Sequence, residues 1–204
     1  MVQVAAEEVG AANARPPTGR ELEALRQQGR FGELKADFFT LALLTGMRKK
    51  ALASVRREHV DTAARTIFIA RPKGGEARAF TLPLSDAAWQ IVQRRLAASN
   101  SPWLFPSPID PDKHVADLRG DGAFSDWKDA EGKPVKFTPH GLRATFIGAG
   151  HAAGVTDRYV ELLANHKQRK GDVHGGYVPE DDLPALRVAT QKITDYLRQR
   201  GLPF

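Results

Sequence analysis

The alternation of apolar and polar positions divides this chain into helices punctuated by glycine and proline, with one short β segment. Phe38, Phe39, Leu41, Leu43 and Leu44 predict a buried helix over Lys35–Leu44, interrupted at Thr45-Gly46. A second helix is expected to carry Arg48 near its start and Leu52 and Val55 on its inner side, with its exit at Glu58-His59-Val60-Asp61. Thr66-Ile67-Phe68-Ile69 reads as a strand by its β-branched and aromatic content, and Ala79-Phe80-Thr81-Leu82 as its partner, ended by Pro83. Arg71–Glu76 is the glycine-containing hairpin connection between them. Ser85 is placed to cap a helix running to Ala98, with Trp89, Val92 and Leu96 at helical spacing. Ser101–Pro108 reads as extended, 109–122 as a polar loop and Ala123–Ala130 as a short helix. Thr138 and Pro139 open a helix ending at Ala153-Gly154, Thr156 caps another to Asn165, and 167–176 is a polar loop. From Asp182 a last amphipathic helix runs to Gln199, with Leu186, Ala189, Ile193 and Leu197 along one face. A short helix over Arg20–Gln28 precedes all of these, and residues 1–19 read as a tail or linker broken by Arg15-Pro16-Pro17-Thr18-Gly19. The fold class is mainly α with a small antiparallel sheet, in one domain over residues 20–204.

Composition narrows the function more than the fold. The chain has 204 residues, enough for one sizeable core, and a formal net charge of +6, which favours a polyanionic partner, nucleic acid first. No apolar run is long enough to cross a bilayer, and Met1–Glu8 lacks the pattern of a signal peptide. Zero cysteines exclude a disulfide framework, a thiol nucleophile and cysteine-ligated metal. The six histidines lack ligand spacing and no acidic cluster suits a two-metal nuclease, so no metal is expected. There is no phosphate-binding glycine loop of the ATP type, and no cofactor is expected.

Several polar residues occupy positions that packing does not explain. Arg48 follows Thr45-Gly46-Met47 at the join of two helices, either as a solvated arginine beside Lys49 and Lys50 or as an anion ligand at a helix start. Lys73 sits at the hairpin tip, where it is either solvated or reaches a substrate groove. His140 and Arg143 share one face at a helix N-terminus, which suits either a cap and a surface cation or a bound phosphate. His166 closes a helix, a common place for a dipole partner. Tyr159 shares a face with Leu162 and Leu163 and is assigned to the core, and Tyr196 packs beside Ile193 and Leu197. Tyr177 follows two glycines after a polar loop, where no apolar stripe asks for an aromatic. Together, Arg48, Lys73, His140, Arg143, His166 and Tyr177 fit phosphodiester transfer. The arginines supply forked donors for phosphate oxygens, a lysine or histidine an acid for the leaving oxygen, and the tyrosine a nucleophile.

In that order, Thr45-Gly46-Met47-Arg48, the hairpin Lys73, His140-x-x-Arg143, Leu163-Ala164-Asn165-His166 and Tyr177 resemble the catalytic domain of the tyrosine recombinases, the phage integrase family, and most of all prophage and genomic-island integrases. His166 follows Arg143 by 23 residues, the family's usual separation, and the resemblance spans Arg20–Arg200. It implies that Tyr177 attacks the scissile phosphate to give a 3′-phosphotyrosine and a free 5′ hydroxyl. It implies that Arg48, Arg143 and His166 stabilise the transition state, that His140 assists proton transfer and that Lys73 is the general acid. It further implies double-stranded DNA as partner, a homotetrameric synapse on DNA with a monomer off it, a cytoplasmic, nucleoid-associated location, and no need of metal or ATP. Lys49, Lys50, Arg71, Lys136 and Lys167 are candidate DNA-phosphate contacts. Three departures stand out. Ala51 replaces the acid that relatives carry three places after the first arginine, the loop from His166 to Tyr177 is longer than in many relatives, and only a short tail precedes Arg20 where relatives carry an N-terminal helical clamp domain, as either a cut chain or a naturally short relative would show. A non-catalytic DNA-binding remnant or regulator of an integrase, and a type IB topoisomerase-like enzyme, are the alternatives.

Overall fold

The structure, a computed structural model, describes residues 23, 26–27, 29–72, 75–116, 139–165 and 182–202. Its centre is α1 (Arg30–Thr45). Phe38, Phe39, Leu41, Leu43 and Leu44 are all shielded from solvent, as a helix apolar on every side must be. Phe38 meets Phe39 and Phe105 edge-to-face, with ring centroids 5.7 and 5.1 Å apart. Around α1 lie α3 (Asp86–Ala98), α4 (Pro139–Ala152) and α6 (Leu183–Gln199), with α5 (Asp157–Leu163) bridging α4 and α6.

Ser85 caps α3 as expected, its hydroxyl accepting from the Ala88 amide. Thr156 occupies the cap position of α5, but its side chain accepts no hydrogen bond there. The helix after Arg48 is much shorter than its sequence predicts. It is α2 (Lys49–Ala53), with Arg48 as its N-cap residue, and Val55 is buried beyond its end. The chain then makes a turn at Arg57–His59 and forms an unpredicted strand, β1 (Val60–Asp61), where a helix exit was expected. It pairs antiparallel with β2 (Thr66–Ile69), which pairs antiparallel with β3 (Phe80–Pro83) in register Ile67↔Leu82 and Ile69↔Phe80. Alternation along β2 sends Ile67 and Ile69 into the core and leaves Phe68 outside.

The last helix packs against its own domain. Leu186, Ala189, Ile193 and Leu197 join the common core, and Thr194 Oγ1 is 2.8 Å from Ser85 Oγ at the head of α3. Tyr159 and Tyr196 are both partly buried against that core, and the Arg200 guanidinium stacks 5.1 Å from the Tyr196 ring centroid. No described helix is long and apolar enough to cross a membrane.

One charged group lies at the centre. Asp37, fully buried on α1, receives Arg26 Nη1 at 2.7 Å, Arg94 Nη2 at 2.6 Å and Arg94 Nε at 3.0 Å. Arg95 Nε stands 3.0 Å from Oδ2 as an ion pair without hydrogen-bond alignment. The cluster ties α3 to α1 through the interior.

Candidate active site

Thr45-Gly46-Met47-Arg48 builds one wall of a cleft. Gly46 ends α1 in the left-handed region at φ 61°, and its amide donates to the Ala42 carbonyl at 2.9 Å. A Cβ at Gly46 would stand 2.4 Å from the Phe146 ring, so no other residue fits without moving α4. The turn frees the Gly46 carbonyl, which accepts Arg143 Nη1 from α4 at 2.6 Å. Arg48, next along, begins α2 with its side chain only partly covered.

Arg143 is the surprise of α4. The sequence places it beside His140 on a face without packing demands, yet it is 5% exposed while His140 lies in solvent. Its Nη2 is buried and has no hydrogen-bond partner among the described residues. Burial, and secondarily the neighbouring Arg48 charge, lower its pKa to about 10. Arg48 is likewise pushed down from its usual value by burial and then by Arg78. No described carboxylate hydrogen-bonds to Arg48 or Arg143. Both stay charged at neutral pH, so the cleft keeps concentrated positive charge.

The cleft is lined by Met47, Arg48, Ala51, Pro72, Arg143 and Asn165, among others. Ala51 is therefore in its wall and offers Arg48 no hydrogen bond. That role goes to Asn165, at the end of α5. Its carbonyl accepts Arg48 Nη1 at 3.3 Å, across 117 residues of sequence. Asn165 takes φ 45°, the left-handed region that asparagine enters more readily than most residues. Its Oδ1 accepts Arg78 Nη2 at 2.9 Å, and its Nδ2 donates to the Arg78 carbonyl at 3.3 Å.

Of the predicted catalytic residues, the structure brings Arg48 and Arg143 together at one cleft and places His140 at the exposed start of α4. Lys73, His166 and Tyr177 lie outside the described residues, as do Lys136 and Lys167. His166 directly follows Asn165, and Lys73 directly follows Pro72, so both adjoin residues of the cleft wall. Among the phosphate candidates, Lys50 is exposed, Lys49 is partly covered, and Arg71 is paired with Glu76 across the hairpin at 2.6 Å. Arg78 and Asn165 were missed from sequence. The signal was there in part, since an asparagine closing a helix marks a left-handed residue, but nothing in the chain pairs it with an arginine 87 residues upstream.

The phage integrase family profile matches residues 23–171. A search of curated protein sequences finds no match to the chain. Among solved structures, the integrase from mycobacterium phage Brujita is similar over 90% of this chain and 59% of its own length, with 21% identity and a TM-score of 0.65. The Tn1549 transposon integrase in complex with a circular intermediate DNA is similar over 86% of this chain and 65% of its own, with 17% identity and a TM-score of 0.61. XerA recombinase is similar over 95% of this chain and 66% of its own, with 13% identity and a TM-score of 0.56. The chain thus spans about three fifths of the length of the first two structures, and the fold it shares with all three is that of a tyrosine-recombinase catalytic domain.

Proposed function

Because the chain belongs to the phage integrase family, we propose that it is the catalytic domain of a site-specific DNA recombinase that cuts and rejoins strands through a 3′-phosphotyrosine. The observation that carries this reading is the pair Arg48 and Arg143, drawn from segments nearly a hundred residues apart to one cleft, with a buried guanidinium nitrogen left for a ligand. Folding exacts a cost for such an arrangement, and an anionic ligand relieves it.

In the proposed reaction, Tyr177 Oη gives up its phenolic proton to a base, with His140 assisting, attacks the scissile phosphorus and forms a P–O bond. The bond from phosphorus to the 5′ oxygen breaks, and Lys73 gives that oxygen its proton. Arg48 and Arg143 hold the non-bridging oxygens as negative charge builds, with His166 beside them and His140 assisting proton transfer. The bond energy is kept in the phosphotyrosine ester, so rejoining needs no ATP. Double-stranded DNA is the substrate, and relatives solved in complex with DNA support that choice. Assembly as a homotetramer on DNA, and action in the cytoplasm on the nucleoid, belong to the same reading.

The test is a randomised pool of nicked, end-labelled suicide duplexes incubated with the chain. A covalent protein–DNA adduct is expected, and it should disappear with Tyr177→Phe. No adduct from either protein would overturn the reading. Ala51 in the cleft wall favours one rival, a DNA-binding remnant without catalysis. It predicts salt-sensitive DNA affinity that is unchanged by Tyr177→Phe, and no adduct.

A further inference from the structure

Arg48 begins a helix of only five residues, and Ala51 beside it has no polar group to hold a guanidinium. An arginine side chain with that freedom would lose much of its value as a phosphate clamp, since a misplacement near 1 Å costs about 100-fold in rate. The residue that does hold it is Asn165, through the backbone carbonyl at 3.3 Å.

That carbonyl faces Arg48 because Asn165 is left-handed, and the side chain keeps it so. Both ends of the Asn165 carboxamide are engaged by a single residue: Oδ1 by Arg78 Nη2 at 2.9 Å, and Nδ2 by the Arg78 carbonyl at 3.3 Å. Asn165 is 8% exposed, so these bonds are sheltered from water. Arg78 ends the turn Glu76–Arg78 just before β3, on the return arm of the hairpin that carries Lys73. The contact therefore ties the hairpin, the end of α5 and the side chain of Arg48 at one point.

We propose that Arg78 and Asn165 are a positioning pair for the strand-transfer reaction: their two-way hydrogen bonding fixes the Asn165 carbonyl that orients Arg48. The proposal rests on the recombinase reading. Neither residue acts on the reacting atoms; both act through Arg48. Arg78 also adds a second cation close to Arg48, which sharpens the need for a fixed geometry.

The experiment measures the adduct-forming rate constant at saturating nicked duplex, and the dissociation constant for the same duplex, on the full chain. Asn165→Gly keeps a residue suited to positive φ and removes only the side-chain bridge. Arg78→Lys keeps the charge and loses the fork. Each is expected to lower the rate constant about 10- to 100-fold, within the range that misplacement produces, with DNA affinity and melting temperature close to wild type. The double variant should be no slower than the slower single one, as members of one unit behave. A wild-type rate in Asn165→Gly overturns the proposal, as do multiplicative losses in the double variant. A loss confined to affinity in Arg78→Lys also overturns it, since Arg78 would then be a plain phosphate contact. If the wild-type chain forms no adduct, the recombinase reading fails and this role fails with it. If the wild type reacts and the variants match it, this inference alone fails.

Discussion

Two clusters of arginines in this molecule are built from the same side chain and obey opposite rules. At Asp37, the buried Arg95 and the more exposed Arg26 and Arg94 converge on one buried carboxylate. The hydrogen bond to Asp37 raises the pKa of Arg94, whereas burial outweighs the Asp37 charge at Arg95 and lowers it. At the cleft, Arg48 and Arg143 face each other with backbone carbonyls as their protein acceptors, and both pKa values are lowered by burial first. The first cluster is organised by folding around a carboxylate of the chain itself, although one carboxylate does not balance three arginines and Arg95 Nε finds no aligned acceptor. The second is left incomplete, which is what a site for an external phosphate requires. Charge alone therefore does not mark a binding surface; charge without an internal answer does.

The comparison is broken most severely at its acidic centre. Asp37→Ala leaves the buried Arg95 without its carboxylate and is expected to cost about 3–5 kcal/mol, read as a lowered urea midpoint. Gly46→Ala comes next. It forces an L-residue to positive φ and drives a methyl into the Phe146 ring, a loss of roughly 2–4 kcal/mol that also displaces the carbonyl holding Arg143. Arg143→Met should behave unlike either. The lowered pKa corresponds to roughly 3 kcal/mol of strain at neutral pH. An apolar replacement of similar length removes that strain along with one hydrogen bond, so stability is expected to hold within about 1 kcal/mol or to rise, while adduct formation is lost.

Alkaline titration sharpens the same contrast. From about 10 up to the ordinary arginine value, the unfolded chain still holds a proton that folded Arg143 has released. Stability attributable to this group therefore rises with pH in that window, and the difference between wild type and Arg143→Met should shift in favour of wild type as pH increases. The smallest effect is expected at the exposed Lys50. If it tracks a phosphate, Lys50→Gln lowers the slope of log affinity against log salt by about 1 and leaves stability unchanged.

Much of this was legible in the sequence because it is local. The buried helix around Phe38 and Phe39, the hairpin, the Ser85 cap and the amphipathic last helix follow from periodicity and capping chemistry within a few residues. The motifs around Arg48 and Arg143 were legible because their residue types and order carry the chemistry. What escaped was non-local. β1 is two residues long and exists only because β2 offers an edge to pair with. The burial of Arg143 depends on a carbonyl 97 residues upstream, and the place of Arg78 depends on Asn165. The helix after Arg48 stops early because the chain must turn into the sheet, an instruction that residues 49–53 do not contain.

The central position of α1 sets a schedule for synthesis. It is synthesised before the elements that cover it, α3, α4 and α6, the last of them ending at Gln199. At elongation rates of about 5–20 residues per second, its aromatic and leucine-rich surface waits on the order of ten seconds for its final neighbour. Through that interval this hydrophobic segment of the nascent chain is a natural client for a chaperone.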